Sequence, residues 1–332
     1  MKAMILRQPN PIETKPLELV DLPEPNIQSD EILIRVKACG ICHTDLHIIE
    51  GELNLPKLPI VPGHQITGIV EKIGEKVKQI KIGDKVGVPW VYSTCGKCKF
   101  CKEGKENLCD NIKFSGFNVN GGYAEYLVAK ESFTYKLPRG FSFIKAAPLL
   151  CAGIIGYRAL KLSETKPKSK LGLYGFGASA HITIQIALDK GCEVYVFSRS
   201  EKHRNLAQKL GAIWTGTPDD IPPQKLDNAI IFAPAGNLVL TALKALDKGG
   251  ILVLAGIHMT PIPEIAYSLI YQERIIRSVA NSTRKDAIEL LKLARKIPIK
   301  TEIEAFPLAK ANQALKFLKE SKIQGSAVLV TD

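Results

Sequence analysis

Cys95-Gly-Lys-Cys98-Lys-Phe-Cys101, closed by Cys109 after seven further residues, is a spacing that encloses a metal. Thiolates so arranged can hold zinc in a closed tetrahedron or bind an iron–sulfur cluster. The iron–sulfur version of the triplet usually closes three residues on, with proline next. Here the gap is seven and Asp110 follows, so zinc is favoured. Four thiolates leave no coordination position open, which makes the role structural. Lys97, Lys99, Lys102 and Lys105 interleave the ligands and offset their negative charge.

A second, scattered set has different chemistry. Gly40-Ile-Cys42-His43-Thr44-Asp45-Leu46-His47 places a thiol, two imidazoles, a hydroxyl and a carboxylate within six residues, and Pro62-Gly-His64 and Leu150-Cys151-Ala-Gly153 follow. Together they supply the soft and borderline ligands of a mixed zinc site. Three protein ligands would leave one position for substrate or water. Singly, each residue is as well explained by structure, and Asp45 and Thr44 suit helix capping.

The third chemical element is Gly175-Phe-Gly177-Ala-Ser-Ala180, which reads as G-x-G-x-x-A between an apolar strand and a helix, with a second strand about twenty residues on. Gly175 would permit the tight turn, Gly177 close approach to a pyrophosphate, and Ala180 close helix–strand packing. The helix N-terminus then faces the phosphates. Where the second strand ends, NAD-binding sequences usually carry Asp or Glu; this chain has Ser198-Arg199-Ser200. A carboxylate would repel the additional phosphate of NADP, whereas hydroxyls and a guanidinium would bind it, so NADP(H) is favoured over NAD(H). Arg204, one turn further, is an additional candidate.

The elements that must position these residues change character along the chain. Up to about residue 148 the pattern is of short strands cut by Gly and Pro, at 31–38, 66–73, 85–89 and 123–129, which reads as an all-β unit. From about 152 short apolar strands at 171–174, 193–197, 228–232 and 251–255 alternate with helix-period segments such as 179–190 and 201–210. Such alternation implies a doubly wound parallel sheet. Helical patterns at 284–296 and 308–320 and a strand at 326–330 end the chain, and they are candidates for a return to the first unit.

At 332 residues two domains are the natural prior, and 45% hydrophobic content is ordinary for a globular chain. The start, MKAMILRQPN, shows no secretory signal, and the longest uncharged run, 171–188, suits strand, turn and helix better than a membrane span. Eight cysteines in such a chain favour metal or thiol chemistry over a disulfide framework, and the cytoplasm is the expected compartment. The formal net charge of +12 is spread among neighbouring acids without a dense basic run, so neither nucleic acid nor membrane is an expected partner. Cys39 and Cys192 read as buried structural thiols.

The stretches GICHTDLH, VPGHQITGIVEKIG, IGDKVGVPW, CGKCKFCKEGKENLC, GGYAEY, LLCAGIIGY and the glycine turn occur in an order that resembles the zinc-dependent alcohol dehydrogenases of the medium-chain dehydrogenase/reductase superfamily. The resemblance covers nearly the whole chain. It implies an α/β fold overall: a GroES-like all-β catalytic domain at 1–150, completed by 284–332, and a Rossmann dinucleotide-binding domain at 151–283. Cys42, His64 and Cys151 would hold a catalytic zinc, and Cys95, Cys98, Cys101 and Cys109 a structural one, two per chain. Thr44 would hydrogen-bond the substrate oxygen and pass its proton, by way of the cofactor ribose, to His47. Asp45 would orient a zinc ligand, and His43 would sit by the pyrophosphate. Trp90 resembles the aromatic wall of the substrate pocket, although core packing explains a tryptophan there nearly as well. Arg284 resembles an arginine that contacts the cofactor phosphates, with a surface ion pair to Asp286 as an equal reading. The residue after His64, usually Glu in this family, is Gln65 here, which would leave the zinc more electrophilic.

The implied activity is hydride transfer between NADP(H), or NAD(H), and an alcohol or its aldehyde or ketone, in a homodimer or homotetramer. A specialised polyol or cinnamyl-type dehydrogenase is the near alternative. A non-catalytic cofactor-sensing or nucleic-acid-binding zinc protein is the alternative from another class, and it leaves Thr44 and His47 without a role.

Overall fold

In the computed structural model, which describes residues 1–331, the chain opens with β1 (Lys2–Leu6) and β2 (Leu17–Asp21), an antiparallel pair. The Ile-rich β3 (Glu31–Ile41) follows, buried along nearly its whole length, and leads into α1 (His43–Ile49). β4 (Gln65–Ile73) pairs antiparallel with β3, and β5 (Lys85–Val88) antiparallel with β4. β6 (Val91–Ser93) and β7 (Lys113–Phe114) form a separate pair. The short helix α2 (Lys99–Lys102) lies between them in sequence. β8 (Tyr126–Lys130) pairs with the first half of β3, and β9 (Tyr135–Lys136) with β5. The short helix α3 (Phe143–Ala146) and a 3-10 turn over Ala147–Leu150 deliver the chain to Cys151.

The second unit, Ala152–Ser282, begins with α4 (Ala152–Leu162). Strands and helices then alternate: β10 (Lys170–Tyr174), α5 (Ala178–Asp189), β11 (Glu193–Phe197), α6 (Glu201–Lys209), β12 (Trp214–Gly216), β13 (Leu226–Ile231), α7 (Leu238–Ala245), β14 (Leu246–Leu254) and β15 (Ile275–Ser278). All six strands pair in parallel in the order β12-β11-β10-β13-β14-β15. Numbered within the unit this is 3-2-1-4-5-6, the doubly wound order whose strand sequence reverses beside the first strand. The core between sheet and helices is aromatic, with Tyr174 stacked on Phe197 at 4.1 Å.

From Thr283 the chain belongs again to the first unit, which comprises Met1–Cys151 and Thr283–Asp332. The division anticipated from sequence placed these boundaries at 150/151 and 283/284. α8 (Arg284–Ala294) starts on a capping box made by Thr283 and Asp286. β16 (Ile303–Pro307), α9 (Ala311–Lys319) and β17 (Ser326–Val330) follow. β17 pairs antiparallel with the second half of β3 and parallel with β16, so the largest sheet holds seven strands. β3 therefore carries β8 on one half of an edge and β17 on the other, and its end, where α1 begins, lies beside the last strand of the chain. Ile34, Val36, Ile66, Val86 and Leu127 form part of the first unit's core. Among the described residues no single helix is long and apolar enough to cross a membrane.

Candidate active site

Cys42 sits between β3 and α1 with extended backbone and acts as the helix N-cap. Its Sγ accepts from the Thr44 N–H at 3.2 Å, and its own N–H donates to Asp45 Oδ2 at 2.9 Å. Cys42 and Asp45 thus form a capping box, to which Thr44 gives only its backbone N–H, and the capping locks Cys42 in place. The other Asp45 oxygen, Oδ1, lies 2.9 Å from His64 Nδ1, with both side chains fully buried. A ring nitrogen facing a carboxylate carries the proton, which leaves the Nε2 lone pair as the donor. Nε2 stands 3.2 Å from Cys42 Sγ. Gly63, before His64, has φ +99°, and a Cβ there would fall 2.4 Å from the Tyr123 ring.

Cys151 completes the group: the ligand atoms of Cys42, His64 and Cys151 all lie within 4.8 Å of one another. A zinc with bonds of about 2.3 Å to sulfur and about 2.0 Å to nitrogen separates such donors by roughly 3.6 Å, so an ion enters this set with a small adjustment. The electrostatics suit a cation. The adjacent Cys151 thiol, and after it the His64 ring, hold the Cys42 thiol well below its ordinary range against the penalty of burial, while Cys151 is pushed well up. Burial opposes charge on His64, but Asp45 and the Cys42 thiolate outweigh it and push the imidazole up to about 10. Two thiols and one imidazole make three donors, fewer than a tetrahedron needs.

Thr44 and His47 are both buried on α1, whereas His43 is exposed, its ring centroid 6.3 Å from that of His47. His47 Nδ1 pairs with the carboxylate of Glu52, which is 44% exposed. Glu52 was not anticipated from sequence. It reaches back because Gly51 turns the chain at φ +80° and the Glu52 N–H closes on the His47 carbonyl at 2.9 Å. Trp90 lies edge-on to the His64 ring, with centroids 4.9 Å apart, and stacks on Phe114 at 4.6 Å. It therefore packs in the core while touching His64. Gln65 is buried, paired with Gly40 in the sheet, and its Nε2 has no partner among the described residues.

The cysteine run forms the second cluster, with Cys95, Cys98, Cys101 and Cys109 Sγ atoms within 4.8 Å of one another. Cys95 and Cys101 are 3.9 Å apart, close to the roughly 3.8 Å edge of a tetrahedron with zinc–sulfur bonds of about 2.3 Å. The backbone N–H groups of Lys97 and Cys98 hold Cys95 down to about 6, in keeping with a thiolate ligand. Glu106, just before Cys109, takes the Arg284 backbone N–H at 3.0 Å and its Nε at 3.2 Å. The Arg284 guanidinium also lies 5.3 Å over the Phe133 ring. Arg284 is thus engaged with the cysteine loop, while Asp286, the alternative partner, caps its own helix through Thr283. The remaining cysteines, Cys39 and Cys192, are buried.

In the second unit the glycine turn links β10 to α5. Gly175 has φ +85°, and a Cβ there would come within 3.0 Å of Ala233. Gly177, the N-cap of α5, differs: its backbone is extended (φ −101°) and a Cβ would meet nothing within 4 Å. No protein atom requires glycine at this point, so the open space over it fits a group that approaches the turn. Ala180 is fully buried. At the end of β11 Ser198 is buried and Arg199 is exposed, without a partner for its guanidinium among the described residues. Ser200 caps α6 by accepting from the His203 N–H at 3.4 Å. Arg204 Nη1 donates to the carbonyls of Ser198 at 2.7 Å and Arg199 at 3.0 Å. It clamps the loop that presents Arg199 through this one nitrogen.

Residues 28–139 match the alcohol dehydrogenase GroES-like domain family, and residues 180–296 match the zinc-binding dehydrogenase family. The chain is 46% identical to a probable alcohol dehydrogenase, AdhA, of Mycobacterium tuberculosis, over 99% of this chain and 97% of that one. Among solved structures it is similar to a cinnamyl alcohol dehydrogenase of Sorghum bicolor (TM-score 0.91, 27% identity, 99% and 97% of the two chains). It is also similar to the CAD of Helicobacter pylori complexed with NADP(H) (TM-score 0.88, 27% identity, 99% of each chain).

Proposed function

The chain belongs to the zinc-dependent alcohol dehydrogenases of the medium-chain dehydrogenase/reductase superfamily, an NAD(P)-dependent oxidoreductase of alcohols and aldehydes, and on that premise we propose which of its residues carry the reaction. Cys42, His64 and Cys151 would hold the catalytic zinc, and Cys95, Cys98, Cys101 and Cys109 a structural one. The observation that carries this reading is the convergence of one thiolate, one imidazole and one further thiol on a single point, with Asp45 fixing two of the three. Bound there, zinc supplies Lewis acidity to the substrate oxygen, and the nicotinamide supplies or accepts the hydride.

The protein's own groups do the rest. The Thr44 hydroxyl, on the first turn of α1, would hydrogen-bond the reacting oxygen and hold its proton. His47, one helical turn along, would receive a proton, and Glu52 keeps its ring fixed through Nδ1. Trp90, braced on Phe114 and against His64, would form one wall of the substrate pocket and exclude water.

NADP(H) is the favoured cofactor. Support comes from Arg199, exposed and uncommitted where an NAD-specific chain would carry a carboxylate, and from the NADP(H)-bound relative. His43 would lie by the diphosphate. A homodimer or homotetramer in the cytoplasm completes the reading, since six of the eight cysteines must stay reduced to serve as ligands. Catalytic efficiency with NADPH and NADH on a panel of primary, secondary and aromatic alcohols tests it, and a preference for NADH would overturn the cofactor assignment. A cinnamyl-type specificity is the second reading, favoured by the aromatic group of Trp90, Phe114 and Phe117 and by the Sorghum structure.

A further inference from the structure

The residue that follows Ala180 is a histidine, and the chemistry described so far does not use it. His181 is fully buried on the first turns of α5. Its Nδ1 lies 3.3 Å from the Gly177 carbonyl, while Nε2 is buried with no partner among the described residues. Facing a carbonyl, Nδ1 must be the protonated nitrogen, so the ring is the neutral Nδ1–H tautomer. A buried imidazole with an unsatisfied lone pair is costly where a leucine would pack without penalty. The polar contacts that offset this cost are to the turn, first the Gly177 carbonyl and after it the Ala178 backbone.

The same carbonyl accepts the His181 backbone N–H at 3.1 Å, so two donors from one residue converge on it. Because the peptide unit is planar and trans, a carbonyl directed into the helix sends the following N–H, that of Ala178, out of the helix N-terminus. At the same turn a Cβ on Gly177 would meet nothing within 4 Å. We propose that His181 is a positioning residue for the dinucleotide: its Nδ1–H holds the Gly177–Ala178 peptide so that the Ala178 N–H meets the diphosphate. This rests on the reading of residues 175–180 as the cofactor turn. The diphosphate is common to both nicotinamide cofactors, so the effect is on affinity for both and not on the choice between them.

The test is equilibrium titration of the zinc-loaded enzyme with NADPH and with NADH, followed by fluorescence, beside thermal melting without cofactor. His181→Leu is expected to raise both Kd values on the order of five- to tenfold, the effect of losing about one hydrogen bond. His181→Asn, whose amide nitrogen stands near the place of Nδ1, should stay within about twofold of the parent. Melting temperature should not follow that order, since both substitutions remove the orphaned Nε2. Parent-like affinity in His181→Leu, or equal weakening in the Leu and Asn variants, overturns the proposal. If His181→Leu does not fold, His181→Gln, which carries its amide past Gly177, takes its place with the same expectations. Gly177→Val separates the proposal from its premise. Loss of binding there with parent-like His181→Leu overturns the role of His181 alone, whereas normal binding in Gly177→Val overturns the cofactor turn itself and the proposal with it.

Discussion

Asp45 Oδ1 meets His64 Nδ1 at 2.9 Å, both side chains fully buried, while Asp45 Oδ2 takes the backbone N–H of Cys42. One carboxylate thereby fixes the His64 imidazole through its side chain and Cys42 through its backbone, two of the three residues proposed to hold zinc. Asp45 offers a separate oxygen to each partner, and asparagine in the same place would turn its NH2 group towards one of them. Asp45→Asn should lower zinc affinity about 10- to 100-fold. Competition against a chromogenic chelator reads this out, and unchanged affinity would show that the pair serves the helix alone.

Glu52 holds the Nδ1 face of His47 at the protein surface. Glu52→Gln keeps the shape and removes the charge, and turnover should fall by about tenfold, the lower end of what general acid–base groups contribute. Added imidazole buffer should restore part of the rate, because a mobile base replaces the lost route to solvent. A rate that is unchanged, or lowered but insensitive to buffer, would assign Glu52 a purely structural part.

Arg284 lies on Glu106 and over Phe133, which ties the helix α8 to the cysteine loop. Arg284→Met should leave Glu106, whose side chain is 6% exposed, short of its partner, and should destabilise the protein by about 1–3 kcal/mol. NADPH affinity should stay within about twofold, because the guanidinium is engaged with Glu106 and Phe133. A selective loss of NADPH affinity at unchanged melting temperature would instead make Arg284 a phosphate contact.

Burial pulls His181 down to about 4, whereas in the unfolded chain a histidine titrates near 6.5. Below that value the unfolded state binds a proton that the native state refuses, so stability falls as pH drops from about 6.5 towards 4 and is unaffected above this window. The size of this component is about 2–3 kcal/mol at pH 4.5. Urea unfolding of parent and His181→Leu at pH 7.5 and pH 4.5 isolates it. The parent should lose more stability than the variant by that amount, and equal losses would show that the ring is protonated at no cost in the native state.

Local pattern carried much of this architecture into view. The cysteine spacing, the strand–glycine–helix order around Gly175, and the strand and helix alternation after residue 152 all depend on residues close together in the chain. What stayed hidden depends on pairing across long separations. Glu106 meets Arg284 across 178 residues, and β17 finds β3 across nearly the whole chain. The pairs β1–β2 and β6–β7 were not marked, the second because two- and three-residue strands carry no period. Arg204 illustrates a different limit: its type and position suggested phosphate, and only the folded chain shows that its Nη1 also holds the nearby carbonyls of Ser198 and Arg199. Glu52 had a faint signal, an acid five residues after a histidine with glycine between, which becomes meaningful once the turn at Gly51 is known.

The central claim is that the three-donor group of Cys42, His64 and Cys151 carries the reacting metal, while the four-cysteine cluster carries one that does not react. Zinc per chain, measured beside NADPH-linked turnover in the parent and in Cys151→Ala, tests it most directly. Two zincs in the parent, one in the variant, turnover lost and the melting transition retained is the predicted result. A variant that keeps two zincs and its turnover, or an active parent that carries a single zinc retained in Cys151→Ala, would contradict it.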